Sequence, residues 1–436
     1  MNVLSTAHRL SGAITVPGSK SHTIRAGILA SLGSGTSYIR NPLESADCLS
    51  CLDVIEAFGA CVRREKGLWT VTAPEGGLRL PARVIDAQNS GSVLYFMSAI
   101  AATLPGWTVM TGDESLCTRP IDTLLQAIRD LGGKGFTTRP GIDAPPAVIG
   151  GPFVAGTVEL EGHLSQPVSG LMMAAARISG TTVIRLRDPK ETPFLKMTAD
   201  WLASLGVHVS YDPERLDRFE ISGPQAFSSF DRVIPSDWEG VAFPLVAAVI
   251  TGSEISILDV DCSGSQGDEA IVDVLVAMGA KVSLDRQTGI LSVHAPEAGR
   301  SLRGGTFALA DFPDALPALS VAACFAEGDT TFTDIGVCRL KETDRVAVMN
   351  RELTLLGADV EEGPDWLTVH GKGGKALHGA VVNSHDDHRV AMALSVAGLA
   401  IEGPGVTVLD GECCAVTFPD FYGVMNGIGA GFVCQE

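Results

Sequence analysis

Basic and acidic side chains crowd into a few short loops of this chain, each placed just before an apolar run. Val16-Pro-Gly-Ser-Lys-Ser-His-Thr-Ile-Arg25 sets Lys20, Ser21 and Arg25 at a helix start, where free backbone N–H groups and the helix dipole favour an anion. It is not a Walker A loop, because Ser19 separates Gly18 from Lys20. Taken alone it reads more readily as an ordinary helix cap with a solvated lysine. Thr111-Gly-Asp-Glu-Ser-Leu-Cys-Thr-Arg-Pro120 offers Arg119 beside a proline at another helix start. Arg339-Leu-Lys-Glu-Thr-Asp-Arg345 places Lys341, Glu342 and Arg345 within seven residues, which alone is unremarkable as a solvated face. Asp386-Asp-His-Arg389 sends Arg389 into Val-Ala-Met-Ala-Leu, and an arginine buried there needs an anionic partner.

These loops must be weighed against the whole chain, whose 32 Lys and Arg face 51 Asp and Glu for a formal charge of −19. Such a balance argues against a nucleic-acid or anionic-membrane partner, so any anionic ligand must be met by locally concentrated cations. Lys20, Arg25, Arg119, Lys341, Arg345 and Arg389 supply them, and a cleft on which they converge wants phosphates or carboxylates. Asp314, in Asp311-Phe-Pro-Asp314, and Glu342 are the carboxylates suited to proton transfer among those cations. A metal is not expected. His385 and His388 lack a further His or carboxylate motif, and Cys48-Leu-Ser-Cys51 lacks a second pair at zinc spacing. The ten cysteines show no paired framework, which fits a reducing compartment; with no signal peptide or long apolar span in view, a cytoplasmic protein is expected.

The elements that position these loops repeat. A Gly-polar turn and β-branched strand lead through a charged loop to an amphipathic helix ending in Leu/Met/Phe/Ile-Gly-Ala/Val/Gly. The copies begin near Gly35, Gly106, Gly180, Gly252, Gly328 and Gly405, about 71 to 77 residues apart. Each terminal glycine, from Gly59 to Gly429, is expected at the left-handed position that closes a helix. Between copies lie Ala-rich helices, spanning residues 98–103, 170–178, 241–249, 315–325 and 390–399, able to be buried on nearly every side. Six units suggest two α/β domains of three. Val16-Pro-Gly-Ser19 and Ile234-Pro-Ser-Asp237 mark the crossings, so residues 1–18 join 236–436 and residues 19–235 form an inserted domain. The crossings at Pro17 and Pro235 are expected to act as a hinge that closes when anions bridge the cations.

Val-Pro-Gly-Ser-Lys-Ser, Thr-Gly-Asp-Glu-Ser with Arg-Pro, Gln266-Gly-Asp268, Phe-Pro-Asp-Ala, Lys-Glu-Thr-Asp-Arg and Asp-His-Arg follow one another over nearly the whole chain. In this order they resemble the enolpyruvyl transferases. The branch acting on UDP-N-acetylglucosamine is less similar, lacking the Lys-Glu-Thr-Asp-Arg pattern. The resemblance implies an inside-out α/β fold of two domains, each of three βαβαββ units, acting as a monomer without cofactor or metal. It implies transfer of the enolpyruvyl group of phosphoenolpyruvate to the 5-hydroxyl of shikimate 3-phosphate. Carried over by motif, Lys20 touches both substrates and serves proton transfer, while Ser21 and Arg25 hold the acceptor carboxylate. Arg119, Arg345 and Arg389 clamp phosphoenolpyruvate. Gln166 and the Asn89-Ser-Gly91 turn line the same pocket, Ser165 meets the acceptor phosphate, and Lys341 contacts the acceptor. Asp314 takes the hydroxyl proton, and Glu342 delivers one to the methylene carbon.

The departures from that pattern sit mainly where the acceptor phosphate is expected. A family serine becomes Leu164, a second becomes Glu191, and a frequent tyrosine becomes Phe194. Asn89-Ser-Gly-Ser-Val-Leu-Tyr95 lacks the basic residue that usually follows, and Val416 stands where the family carries a phosphoenolpyruvate-binding lysine. A different hydroxylated acceptor, or a non-catalytic anion-binding relative, are the alternative readings.

Overall fold

The computed structural model describes residues 1–296 and 301–435. Residues 297–300 and 436, within the segment 236–436 assigned above to one domain, lie outside the described residues. The chain divides into two compact units, Met1–Pro17 with Ser236–Glu436, and Gly18–Pro235.

The described residues form six sheets, three in each unit, and every sheet repeats one plan. A parallel neighbour flanks a central strand, which pairs antiparallel with a second strand, which pairs antiparallel with a third. In the unit Gly18–Pro235 the central strands are Thr36–Arg40, Gly106–Thr111 and Gly180–Arg187. In the other unit Glu254–Leu258 and Ala326–Thr333 take that role, with Val406–Leu409 in the third sheet. Alternation along the strands buries one face only. At the middle of each sheet a cross-strand pair is fully enclosed: Ile39 with Trp69, Met110 with Ala147, Ile184 with Phe219, Ile257 with Leu291, Phe332 with Leu367, and Val3 with Val408.

The N-terminal segment completes two of those sheets. Asn2–Ser5 pairs with Val406–Leu409 and Val433–Gln435, and Ser11–Thr15 lies parallel to Glu254–Leu258. Each crossing is then fixed on its own side, by Asp237 N–H to Pro17 O at 3.0 Å and by Ser19 N–H to Pro235 O at 2.8 Å.

The sheets enclose helices whose small residues permit burial all round. In Lys20–Leu32 every residue after Lys20 is buried, and in His388–Gly398 every residue is. Leu316–Cys324 is also buried throughout, and Gly91–Ala101, Ser165–Ala175 and Trp238–Thr251 are nearly as enclosed. Gly91–Ala101 and Ser165–Ala175 begin five to seven residues earlier than the small-residue runs suggest, because the first takes in the bulky apolar residues 93–97 as well and the second opens on the polar Ser165-Gln166. The six amphipathic helices all close alike. Gly59, Gly132, Gly206, Gly279, Gly357 and Gly429 have φ between 85° and 104°. The next residue's N–H reaches back six positions inclusive, as from Ala60 to Ile55 O and from Ala430 to Met425 O, the double-bonded helix stop that only a left-handed residue permits. No helix among the described residues is long and apolar enough to cross a membrane.

Candidate active site

In the unit Gly18–Pro235, the buried helices present their N-terminal turns with the polar residues singled out above. Ser19 caps the first, its side chain accepting from His22 N–H, so Lys20 leaves the first turn and meets Asp47 at 3.7 Å. Ser21 is buried, and Arg25, one turn on, is only 2% exposed. Its guanidinium donates to Thr198 Oγ1 at 2.8 Å, Ser21 O at 3.1 Å and Phe194 O at 3.2 Å, and lies 5.1 Å from the Phe96 ring centre. Burial pushes its pKa down to about 9, with the Glu191 charge opposing the shift.

Arg119 is joined to the Asn89-Ser-Gly91 turn. It donates to Asn89 O at 3.2 Å, Asn89 Oδ1 at 3.0 Å and Ser115 Oγ at 3.1 Å, while Asn89 Nδ2 donates to Asp113. A Cβ on Gly91 would stand 3.5 Å from this guanidinium. The third helix starts at Ser165, whose N–H and Oγ both donate to Glu191 Oε2 at 2.9 Å. Glu191 is 1% exposed and has φ +51°. Oε1 of Gln166, the next residue after Ser165, is buried without a hydrogen-bond partner.

In the other unit a single guanidinium organises the acids. Arg345, wholly buried at the head of its helix, donates Nε and Nη2 to Asp387 at 2.7 and 3.1 Å, Nη2 to Glu342 at 2.6 Å, and Nη1 to Asp314. Burial works against its charge, but Asp387, Glu342 and Asp314 together hold its pKa well above the ordinary arginine range. Lys341 lies 3.6 Å from Asp314. Arg389 Nη2 pairs with Glu239, and its Nε is 3.6 Å from Asp314; burial lowers its pKa to about 10, with Asp237 opposing. Asp268 is driven upward by its own burial and by Asp314 and Asp237, with Lys341 opposing.

One expectation is corrected by this geometry. The site's cations do not stand bare and repelling in the ligand-free chain, since Lys20, Lys341, Arg345 and Arg389 each face a carboxylate of their own unit. Arg345 gives four of its five N–H donors to three carboxylates, which steadies Asp314 and Glu342. His385 Nε2 is bonded to Glu352 at 2.9 Å, and no group of three or more His, Cys, Asp or Glu among the described residues is arranged to hold a metal. The ten cysteines are all free thiols.

A family model for EPSP synthase (3-phosphoshikimate 1-carboxyvinyltransferase) matches residues 4–425. The chain belongs to the EPSP synthase family. It is 39% identical over 421 residues to the 3-phosphoshikimate 1-carboxyvinyltransferase of Ruminiclostridium cellulolyticum, covering 96% of each chain. To the protein of that name from Methanocaldococcus jannaschii it is 35% identical over 435 residues, covering 98% of each. The EPSP synthase structure from Acinetobacter baumannii superposes with a TM-score of 0.82 at 27% identity, covering 100% of both chains. The family is one of transferases with a two-domain inside-out α/β fold.

Sequence reasoning missed several members of these networks. Asp387 carried a signal, as the helix-capping Asp before Arg389, and its side chain does accept from Arg389 N–H at 2.9 Å. Glu239 carried another, a lone carboxylate in the first turn of the otherwise apolar Trp238–Thr251 helix. Asp47 and Thr198 gave none, since their partners lie far along the chain.

Proposed function

We propose that this protein transfers the enolpyruvyl group of phosphoenolpyruvate to the 5-hydroxyl of shikimate 3-phosphate, releasing phosphate, in aromatic amino-acid biosynthesis. The acceptor oxygen adds to C2 of phosphoenolpyruvate while C3 takes a proton and becomes a methyl group. Phosphate then leaves C2, a methyl proton is lost, and the double bond is restored. Asp314 takes the hydroxyl proton and Glu342 supplies the one to C3. Lys20 assists proton transfer and touches both substrates, and Lys341 contacts the acceptor. Ser21 and Arg25 serve the acceptor carboxylate, Ser165 its phosphate, and Gln166 lines the phosphoenolpyruvate pocket. Arg119, with Asn89 and Gly91, and Arg389 bind phosphoenolpyruvate. Arg345 joins that phosphoenolpyruvate clamp and also steadies the two acids it is bonded to. Neither metal nor cofactor enters the reaction as proposed.

The observation that supports this reading best is the shared clamp. Asp314 and Glu342, 28 positions apart in sequence, are both bound to Arg345, which fixes two proton-transfer groups beside each other in a chain of this family. Phosphate release from phosphoenolpyruvate, with and without shikimate 3-phosphate, tests it. Acceptor-dependent release that is abolished in Glu342→Gln is expected. Release that ignores the acceptor, or survives unchanged in that variant, refutes it.

A further inference from the structure

The N-terminal turn of the Ser165–Ala175 helix is built as an anion receptor, and the protein already supplies the anion. Both donors of Ser165 are taken by one oxygen of Glu191, at 2.9 Å each. The carboxylate is buried, and its charge is felt by the equally buried Arg25. A phosphate seated on these same donors must share the space with a like charge in a poorly hydrated site, which is costly unless Glu191 moves away. The residue's left-handed backbone, at φ +51°, aims the side chain back at Ser165 from the start of the next helix. A carboxylate oxygen held at these donors is matched by an O–H group on the acceptor, which donates, and mismatched to a phosphate dianion, which only accepts.

We propose that Glu191 is a specificity-determining residue: it competes with the acceptor's phosphate for the Ser165 donors and shifts preference toward an acceptor with a free hydroxyl at that position. This rests on the proposed reaction, and on Ser165 being the phosphate contact within it. No step of the proposed proton transfer uses Glu191, so its effect is expected on acceptor affinity.

The test compares wild-type protein with Glu191→Ser and Glu191→Gln, using shikimate 3-phosphate and shikimate as acceptors. Calorimetric binding and steady-state phosphate release are both read. Removing the like charge is expected to tighten shikimate 3-phosphate binding about tenfold or more and to lower its KM equally. The KM for phosphoenolpyruvate holds, and shikimate gains nothing. Glu191→Gln, nearly isosteric and still able to accept from Ser165, is expected to shift the same way by a smaller factor, and it decides the matter if the serine variant fails to fold. Equal shikimate 3-phosphate affinity in all three proteins, no binding to any of them, or an equal gain for both acceptors overturns the proposal. Absence of turnover with either acceptor refutes the proposed reaction instead, and the calorimetry still reports on Glu191.

Discussion

Asp387 is the residue whose removal most directly tests whether Arg345 is a support held in place by its counter-ions. Its carboxylate accepts two hydrogen bonds from Arg345, one from Thr343 Oγ1 at 3.1 Å, and the capping bond from Arg389 N–H. Neither it nor Arg345 has measurable exposure, so solvent screening does not soften the loss. Breaking a buried ion pair costs about 3–5 kcal/mol, and here the lower end applies because Asp314 and Glu342 still hold the arginine. The lost cap adds about 1 kcal/mol. Asp387→Ala is therefore expected to destabilise its unit by about 4 kcal/mol, and Asp387→Asn, which keeps a good cap, by about 3 kcal/mol. For a folding unit of this size the alanine variant's melting temperature falls by about 8–16 °C. Urea and thermal unfolding of the full chain, followed by tryptophan emission and circular dichroism, measure this. If Asp387→Asn is as stable as wild type, Asp387 is a cap and nothing more, and the argument that it anchors the acid pair fails. The same variant is expected to lower kcat more than it raises either KM, because Asp314 and Glu342 are displaced through Arg345.

Glu239→Gln leaves Arg389 without its closest charge partner, so the ligand-free protein is expected to lose about 3 kcal/mol while the KM for phosphoenolpyruvate falls; an unchanged or higher KM removes Arg389 from that substrate's site. Asp268 has a pKa raised by burial and by Asp314 and Asp237, so the folded state binds its proton more tightly than the unfolded state does. Its stabilising contribution is then whole below the ordinary Asp range and lost as pH rises toward the folded value. Asp268→Asn should flatten that decline, gaining on wild type in urea unfolding at pH 8 but not at pH 4; equal gains at both pH values refute the assignment. Val416, at the end of the Gly411–Val416 turn, stands where a lysine is expected. Val416→Lys is expected to tighten phosphoenolpyruvate binding about tenfold by restoring a charge-assisted hydrogen bond, read by titration of the binary complex.

Much of the architecture was legible because local chemistry is repeated. Six glycines after six amphipathic helices announced six identical helix stops, and each has the left-handed φ that the motif requires. The Ala-rich helices were visible as small-residue runs, but their true starts were not, since Gly91–Ala101 also takes in the bulky residues 93–97 and Ser165–Ala175 opens on the polar Ser165. The site was legible in its cations and not in its counter-ions. Lys20, Arg119 and Arg389 stand in recognisable loops, whereas Asp47, Glu239 and Asp387 become partners only through tertiary contacts spanning 27, 150 and 42 positions. A carboxylate at a helix start has a local explanation as a cap or dipole partner, and that explanation conceals the distant arginine it neutralises.

The counter-ions change what substrate binding must accomplish. Bare cations would attract phosphoenolpyruvate and the acceptor strongly, but they would also repel one another and leave buried charge unpaired, which a fold tolerates poorly. This chain resolves the conflict within each unit, through Asp47 at Lys20, Glu239 at Arg389, and Asp314, Glu342 and Asp387 around Arg345. An incoming anion then exchanges one carboxylate partner for another, and only the difference between the two appears as affinity. Where the internal carboxylate also has a task, as proposed for Asp314 and Glu342 in proton transfer, the pairing keeps the group in position. Where it has none, as at Glu239 and Glu191, the carboxylate is a plain competitor. Substitutions at those two positions should therefore raise affinity without lowering kcat, the opposite of what Asp387, Asp314 and Glu342 variants do.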